Sequence, residues 1–328
     1  STFYATYAIN KDISVGFGFF TMFGLGSTWD GSWVGRNLAT TSDVKTFTLN
    51  PSVAYNLMDN LSVAVGVDYV IGQVSLEKSA GYVPAIGDYV ESKLKADATG
   101  VGFNVGLKYK PTDEFSIGAV YRSEVALDFS GDATFKYRST TPLNDAVLGS
   151  WFPATTGSAT LTLPAMMGVG LSYDFTKNLT AEFDWMQLAW SAYDKLTIKF
   201  KDPVGPDASS ESIAVRNYED SYSLRFGMEY RVNDDFSLRA GYLRDNKAVP
   251  DEYVEPTLPE GDRNLITLGA GYKMGDITFD AFYMALQQVD RKITTSKVVF
   301  GSDPTATFNG TYKGVANLFG VSLSYSIK

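Results

Sequence analysis

The chain has no cysteine and no histidine among its 328 residues. Without imidazole there is no Ser-His or Cys-His nucleophilic pair and no histidine metal site. Without thiols there is no disulfide, thiolate nucleophile or zinc knuckle. Basic charge is also short, with 28 Lys and Arg against 37 Asp and Glu and a net charge of -9, so a basic footprint for nucleic acid is missing. No stretch comes near the ~18 consecutive apolar residues of a membrane-spanning helix. Ser1 opens on neither an initiating Met nor a basic and apolar leader, which reads as a mature or truncated chain. The lack of cysteine fits a protein that crosses an oxidising space before it folds.

What is present is alternation. In the last segment Phe319, Val321, Leu323, Tyr325 and Ile327 share one face, and Gly320, Ser322, Ser324 and Ser326 the other. The same period of two runs through 61–72 and 221–232, the mark of strands with two unlike faces. Short polar turns lie at 10–12, 58–60, 111–114, 176–178, 233–235 and 275–276, each followed by a large apolar residue. They alternate with long connections at about 24–42, 78–92, 136–157, 201–215, 246–261 and 291–311. Up-and-down antiparallel strands would gather the short turns at one end and the long loops at the other.

A soluble β-sandwich also alternates, and the tyrosines argue against it. Tyr7, Tyr55, Tyr109, Tyr173, Tyr230 and Tyr272 each stand about three residues before a short turn, and Tyr325 keeps that relation to the chain end. In space that is an aromatic girdle at one membrane interface. The expected fold is therefore all-β: one transmembrane antiparallel up-and-down β-barrel over residues 1–328, with long extracellular loops and about thirteen strands. Single-chain bacterial barrels carry an even strand number. One strand ahead of Ser1 is thus expected to be missing, with a gap between the first and last strands.

The inward face is not uniformly polar. Large apolar residues interrupt it at Phe20, Val70, Val120, Met166, Met186, Leu243, Phe282, Met284 and Leu286, mostly about six to ten residues from a short turn. Below them Lys108, Asp174, Glu182, Asp184, Glu229, Arg231, Arg239, Lys273 and Asp280 make an ionic floor. A greasy belt inside a barrel points to a hydrophobic ligand. Arg122 and Arg225 fall on the inward parity near the belt, where a guanidinium suits a carboxylate-headed lipid, or else pairs with acids of the barrel itself. Two loops are also too apolar for open solvent: Val83, Ile86 and Tyr89 in one, Leu148, Trp151 and Phe152 in the other. They would form either an outer landing groove or an ordinary loop core.

An ordered set of motifs resembles the FadL/TodX-type outer-membrane transporters of long-chain fatty acids and other hydrophobic compounds. It includes Ser32-Trp33-Val34-Gly35-Arg36, Leu49-Asn50-Pro51-Ser52, Gly118-Ala119-Val120-Tyr121-Arg122, Leu258-Pro259-Glu260-Gly261-Asp262-Arg263 and Lys313-Gly314-Val315-Ala316-Asn317. The resemblance implies a 14-stranded barrel, an N-terminal hatch absent from this sequence, and an outer groove on the two apolar loops. It also implies an inner pocket whose carboxylate-binding arginine falls on Arg122, and sideways release at a kinked strand, 13–24, where Gly16, Gly18 and Gly24 permit the bend.

The expected activity is passive uptake of a fatty acid or another hydrophobic small molecule by a monomeric barrel surrounded by outer-membrane lipid, with no cofactor, no metal and no nucleic acid. An aromatic hydrocarbon importer is the alternative, for which both arginines would be superfluous. A non-transport structural barrel would carry polar loops and no belt. No acid pair or Ser-Lys pair stands at a recognisable spacing, so no enzyme is expected.

Overall fold

A computed structural model describes residues 2–83, 88–137, 141–299 and 305–326, with backbone alone at 80–83 and 88–89. In chain order the elements are β1 (Phe3–Ala8), β2 (Ile13–Phe20), β3 (Gly24–Thr28), β4 (Thr41–Met58), β5 (Leu61–Val83), β6 (Asp88–Tyr109), β7 (Phe115–Arg122), β8 (Val125–Lys136) and the helix α1 (Pro142–Trp151). There follow β9 (Thr155–Leu163), β10 (Met166–Thr176), β11 (Leu179–Leu188), β12 (Lys195–Val204), β13 (Ser209–Val215), β14 (Ser221–Arg231), β15 (Phe236–Asp245), β16 (Arg263–Met274) and β17 (Ile277–Gln288). The short pair β18 (Arg291–Ile293) and β19 (Gly310–Tyr312) and the last strand β20 (Val315–Tyr325) complete the set.

Five successive pairs, β2 with β3, β7 with β8, β9 with β10, β11 with β12 and β13 with β14, are each one stave interrupted by a bend. With the eight continuous strands they make thirteen staves among the described residues, every pairing antiparallel. Among the described residues β1 pairs only with β2, and β20 only with β17, so the expected seam lies between the first and last staves.

The six short turns fall where the sequence puts them, and Asn10 and Asn233 each brace theirs by accepting backbone N–H groups two and three residues on. Two of the expected loops are largely strand. β5 and β6 run on to Val83 and from Asp88, and β12 and β13 form a hairpin over most of 201–215.

The outer face is apolar at membrane depth. Val65, Val67, Val101, Phe103, Val105, Leu171, Phe226 and Met228 are all exposed, as are the seven girdle tyrosines. Farther out the polarity inverts with no change of parity. On β6 the outward Val101, Phe103 and Val105 give way to Lys93, Lys95 and Asp97, while the inward Ala96 and Ala98 are buried. Water replaces lipid outside at that height, so the apolar face must turn to the lumen. Ala96, Ala98, Val70, Val125, Leu127, Phe129 and Leu163 form a core inside the barrel.

Stave bends bring this core together. Between β7 and β8 the chain steps inward at Ser123-Glu124, where the Ser123 hydroxyl accepts from the Phe103 N–H at 3.0 Å. That extra residue flips the inward set from Val120 and Arg122 to Val125, Leu127 and Phe129. The β6 ladder stops at Asp97–Ser130 and resumes at Asn104–Arg122. A Cβ on Gly100 would meet Val125 at 2.6 Å, which explains glycine there. β9 and β10 part at Pro164, which has no N–H to give a ladder.

The bend in the second stave corrects one expectation. It lies at Thr21–Phe23, where Thr46 Oγ1 accepts from Phe23 N–H at 3.2 Å and donates to its carbonyl at 2.6 Å, and not at Gly16 or Gly18. Gly16 sits in regular ladder opposite Ser52, and Gly18 makes room for the Tyr4 and Phe20 rings. Gly24 opens β3 just past the bend.

Candidate functional site

The inverted upper faces and the stave bends enclose a cavity of about 700 Å³ inside the barrel. Met166, Met186, Arg225 and Leu243 line it, together with Leu286. More of its apolar wall comes from farther up the staves, through Val74, Leu76, Leu94, Phe129, Leu161 and Leu163 among others. Interruptions between strands add Phe23, Trp190, Tyr193 and Tyr218, with Phe23 edge-on to Trp190 at 5.7 Å and Trp190 edge-on to Tyr218 at 6.1 Å. Burial pushes the Tyr218 hydroxyl pKa up.

Six of the residues expected in the inner pocket do not line this cavity. Val70 is buried in the core beside it, and Phe20 stacks on Tyr4. Val120 lies lower, over Gly168, where an added Cβ would come within 3.3 Å of it. Phe282 covers Gly320 near the seam, and Met284 sits opposite Leu318 on the same pair of staves. The sixth, Arg122, ion-pairs with Asp68, whose carboxylate also accepts from Asn50 at 2.9 Å and Asn104 at 3.2 Å. Its guanidinium lies 5.4 Å from the Phe20 ring centre. The pairing of an inward arginine with an acid of the barrel is thus realised at Arg122.

Arg225 is different. Its Nη2 donates to Met186 Sδ at 3.4 Å, and its Nε is buried without a hydrogen-bond partner among the described residues. Asp184 stands directly across the ladder, yet Arg225 has no ion pair among the described residues. An always-charged fork on an apolar wall is what a carboxylate head needs.

Below the cavity the ionic floor is knit together. Arg239 binds Glu229 at 2.7 Å and Asp280 at 2.5 Å, and Arg231 binds Glu229 at 3.1 Å.

Above it a second cavity of about 810 Å³ shares Ser42, Leu76, Leu94, Leu196, Ile198, Arg216 and Thr257 with the first. Arg216 at this boundary ion-pairs with Glu255, and both are nearly buried. Burial alone would lower the arginine's pKa, and the Glu255 carboxylate with Tyr193 and Tyr218 outweighs it, so the net shift is upward. Burial likewise raises the Glu260 carboxyl, which Arg263 partly offsets. Tyr218, Val249, Val254, Ile293 and Tyr312 pack into a cap over this region, tied by Arg291 to Asp251 at 2.6 Å.

Of the outer-groove residues, Ile86 and the side chains of Val83 and Tyr89 lie outside the described residues. The other loop forms α1, capped where Thr141 Oγ1 accepts from Asn144 N–H at 3.3 Å. Its Leu148 and Phe152 bury against Val90, with Phe135, Tyr137 and Trp151 alongside. Phe152 also reaches the wall of the upper cavity.

The architecture has known counterparts. The Salmonella typhi long-chain fatty acid transport protein is 25% identical over 343 residues, covering 97% of this chain and 74% of that protein. A Pseudomonas aeruginosa FadL homologue superposes with a TM-score of 0.87 at 23% identity, over 99% of this chain and 77% of its own. The Ralstonia pickettii toluene transporter TbuX gives 0.69 at 20%, over 99% and 80%. The family model described as outer membrane protein transport protein (OMPP1/FadL/TodX) matches residues 1–327. The chain therefore belongs to that family, as a β-barrel transport protein of the bacterial outer membrane and not an enzyme.

Proposed function

We propose that this barrel takes up long-chain fatty acids, holding the carboxylate at Arg225 and the tail along the apolar wall of the inner cavity. The observation that carries the reading is a cavity-lining guanidinium with no carboxylate partner among the described residues. Replacing Arg225 with Met is expected to weaken fatty-acid binding by about 1.5–3 kcal/mol, the range for a hydrogen bond to a charged group. The methyl ester should bind both proteins alike. An acid that binds the variant as well as it binds the parent would overturn the carboxylate reading. It would favour an aromatic hydrocarbon cargo, for which the Phe23–Trp190–Tyr218 cluster offers ring faces and edges.

In this reading cargo enters through the upper cavity and leaves sideways at the Thr21–Phe23 bend. Met22, Phe23 and Gly24 line the inner cavity there, and β3 pairs only with β4 among the described residues. A bulkier Met22→Trp side chain is expected to slow delivery of fatty acid into vesicles several-fold while equilibrium affinity changes little. Delivery at the parent rate would argue against an exit at this bend.

A further inference from the structure

On β14 the residues Ser221, Ser223 and Arg225 share one face, and all three line the inner cavity. Arg225 lies in a rung of leucines, with Leu243 and Leu265 at the matching positions of the next two strands. Two residues farther along, about 6.5 Å by strand rise, the rung is polar. Ser223 faces Asp245, and Asp245 faces Arg263, which it binds at 2.5 Å. Ser223 is 3% exposed, and its hydroxyl has no hydrogen-bond partner among the described residues. Arg263 Nε is enclosed without one as well. On another wall Ser42, 1% exposed and shared with the upper cavity, has an equally unpartnered hydroxyl.

A plain hydrocarbon tail rising from Arg225 would seal these groups away from water with nothing to bond. Buried hydroxyls and guanidinium N–H groups left unsatisfied carry a desolvation penalty, and a site built with such groups discriminates against ligands that lack the matching atom. An oxygen on the acyl chain at this height would accept from Arg263 Nε or exchange a hydrogen bond with Ser223.

We propose that Ser223, with Arg263 beside it, forms a second polar subsite that selects oxygenated acyl chains, hydroxy fatty acids above all, over plain ones. The inference rests on the fatty-acid reading of Arg225 and names the cargo more narrowly.

The test is equilibrium binding of octadecanoic acid and a series of its monohydroxy derivatives, differing in hydroxyl position, to the detergent-solubilised barrel and to two variants. In the parent, one or two adjacent hydroxyl positions are expected to bind about tenfold more tightly than the plain acid. Ser223→Ala should erase that preference by weakening the favoured isomers alone, leaving the plain acid unchanged or slightly tighter. If no position outbinds the plain acid, or if Ser223→Ala weakens every acid equally, the subsite does not exist. Arg225→Met separates the two readings. Loss of affinity for all the acids keeps the carboxylate anchor whatever the hydroxyl series shows. A preserved hydroxyl preference with no loss would sink the anchor and leave the subsite standing.

Discussion

Glu255→Ala is expected to loosen the extracellular cap by about 3–5 kcal/mol, the cost of leaving one member of a buried ion pair alone. The Arg216 and Glu255 side chains are 8% and 13% exposed. Glu255 also accepts from the Thr257 hydroxyl, within the 255–258 turn that closes on itself between Glu255 and Leu258. Without the carboxylate, Arg216 keeps among the described residues only the face of Tyr193 at 5.9 Å, and its Nε already lacks a partner there. The guanidinium must then draw in water or swing out, and either motion opens the boundary between the two cavities. The effect should be local, because the ladders below Ser221 do not depend on the pair. Protease nicking within 246–262 should therefore rise by about 10²–10⁴-fold when cleavage follows the open population, while urea unfolding of the barrel shifts little. The double variant Arg216→Met with Glu255→Leu should return close to the parent, since apolar residues can replace a buried pair at little cost. A single variant as resistant as the parent would mean that the pair contributes nothing to the cap.

How far the sequence shows this arrangement depends on which solvent each face meets. Lipid is uniform, so Val101, Phe103, Val105 and Leu107 advertise their face by period alone, and thirteen staves and six turns follow. The upper staves carry an equally regular signal with the opposite meaning. Leu127 and Phe129 alternate with Asp128 and Ser130, and Leu161 and Leu163 with Thr160 and Thr162. Both runs lie beyond the ~9–11 residues that span a bilayer at barrel tilt, which marks their apolar face as inward. Counting from the turns at fixed parity fails across Ser123-Glu124, where one extra residue exchanges the faces. Trp190, Tyr193, Arg216 and Tyr218 come from interruptions between strands, where no period exists to be read. The bend at Thr21–Phe23 depends on Thr46, 23 residues away from Phe23, whereas glycine content pointed to Gly16 and Gly18.

The pairing of Arg122 with Asp68 is of the same kind, because both lie on the inward parity but on staves separated by β6. Asp68 sits opposite Gly102 and Arg122 opposite Asn104, so the pair bridges the intervening strand over a glycine and an asparagine. The two ends are not equivalent. Asp68, 1% exposed, would keep the Asn50 and Asn104 donors if Arg122 were lost, whereas Arg122 without Asp68 would keep, among the described residues, only the Phe20 ring. Asp68→Ala is accordingly expected to destabilise the barrel by about 3–5 kcal/mol, and Arg122→Met by clearly less, measured by urea unfolding of the detergent-solubilised protein. Adding Arg122→Met to Asp68→Ala should recover most of the loss. Binding should separate the two arginines in the opposite sense. Arg122→Met leaves fatty-acid affinity near that of the parent, because Arg122 does not line the cavity, and Arg225→Met lowers it. If Arg122→Met proved the more damaging of the two to affinity, the anchor would move to Arg122, and Asp68 would become a counter-ion that the incoming carboxylate displaces.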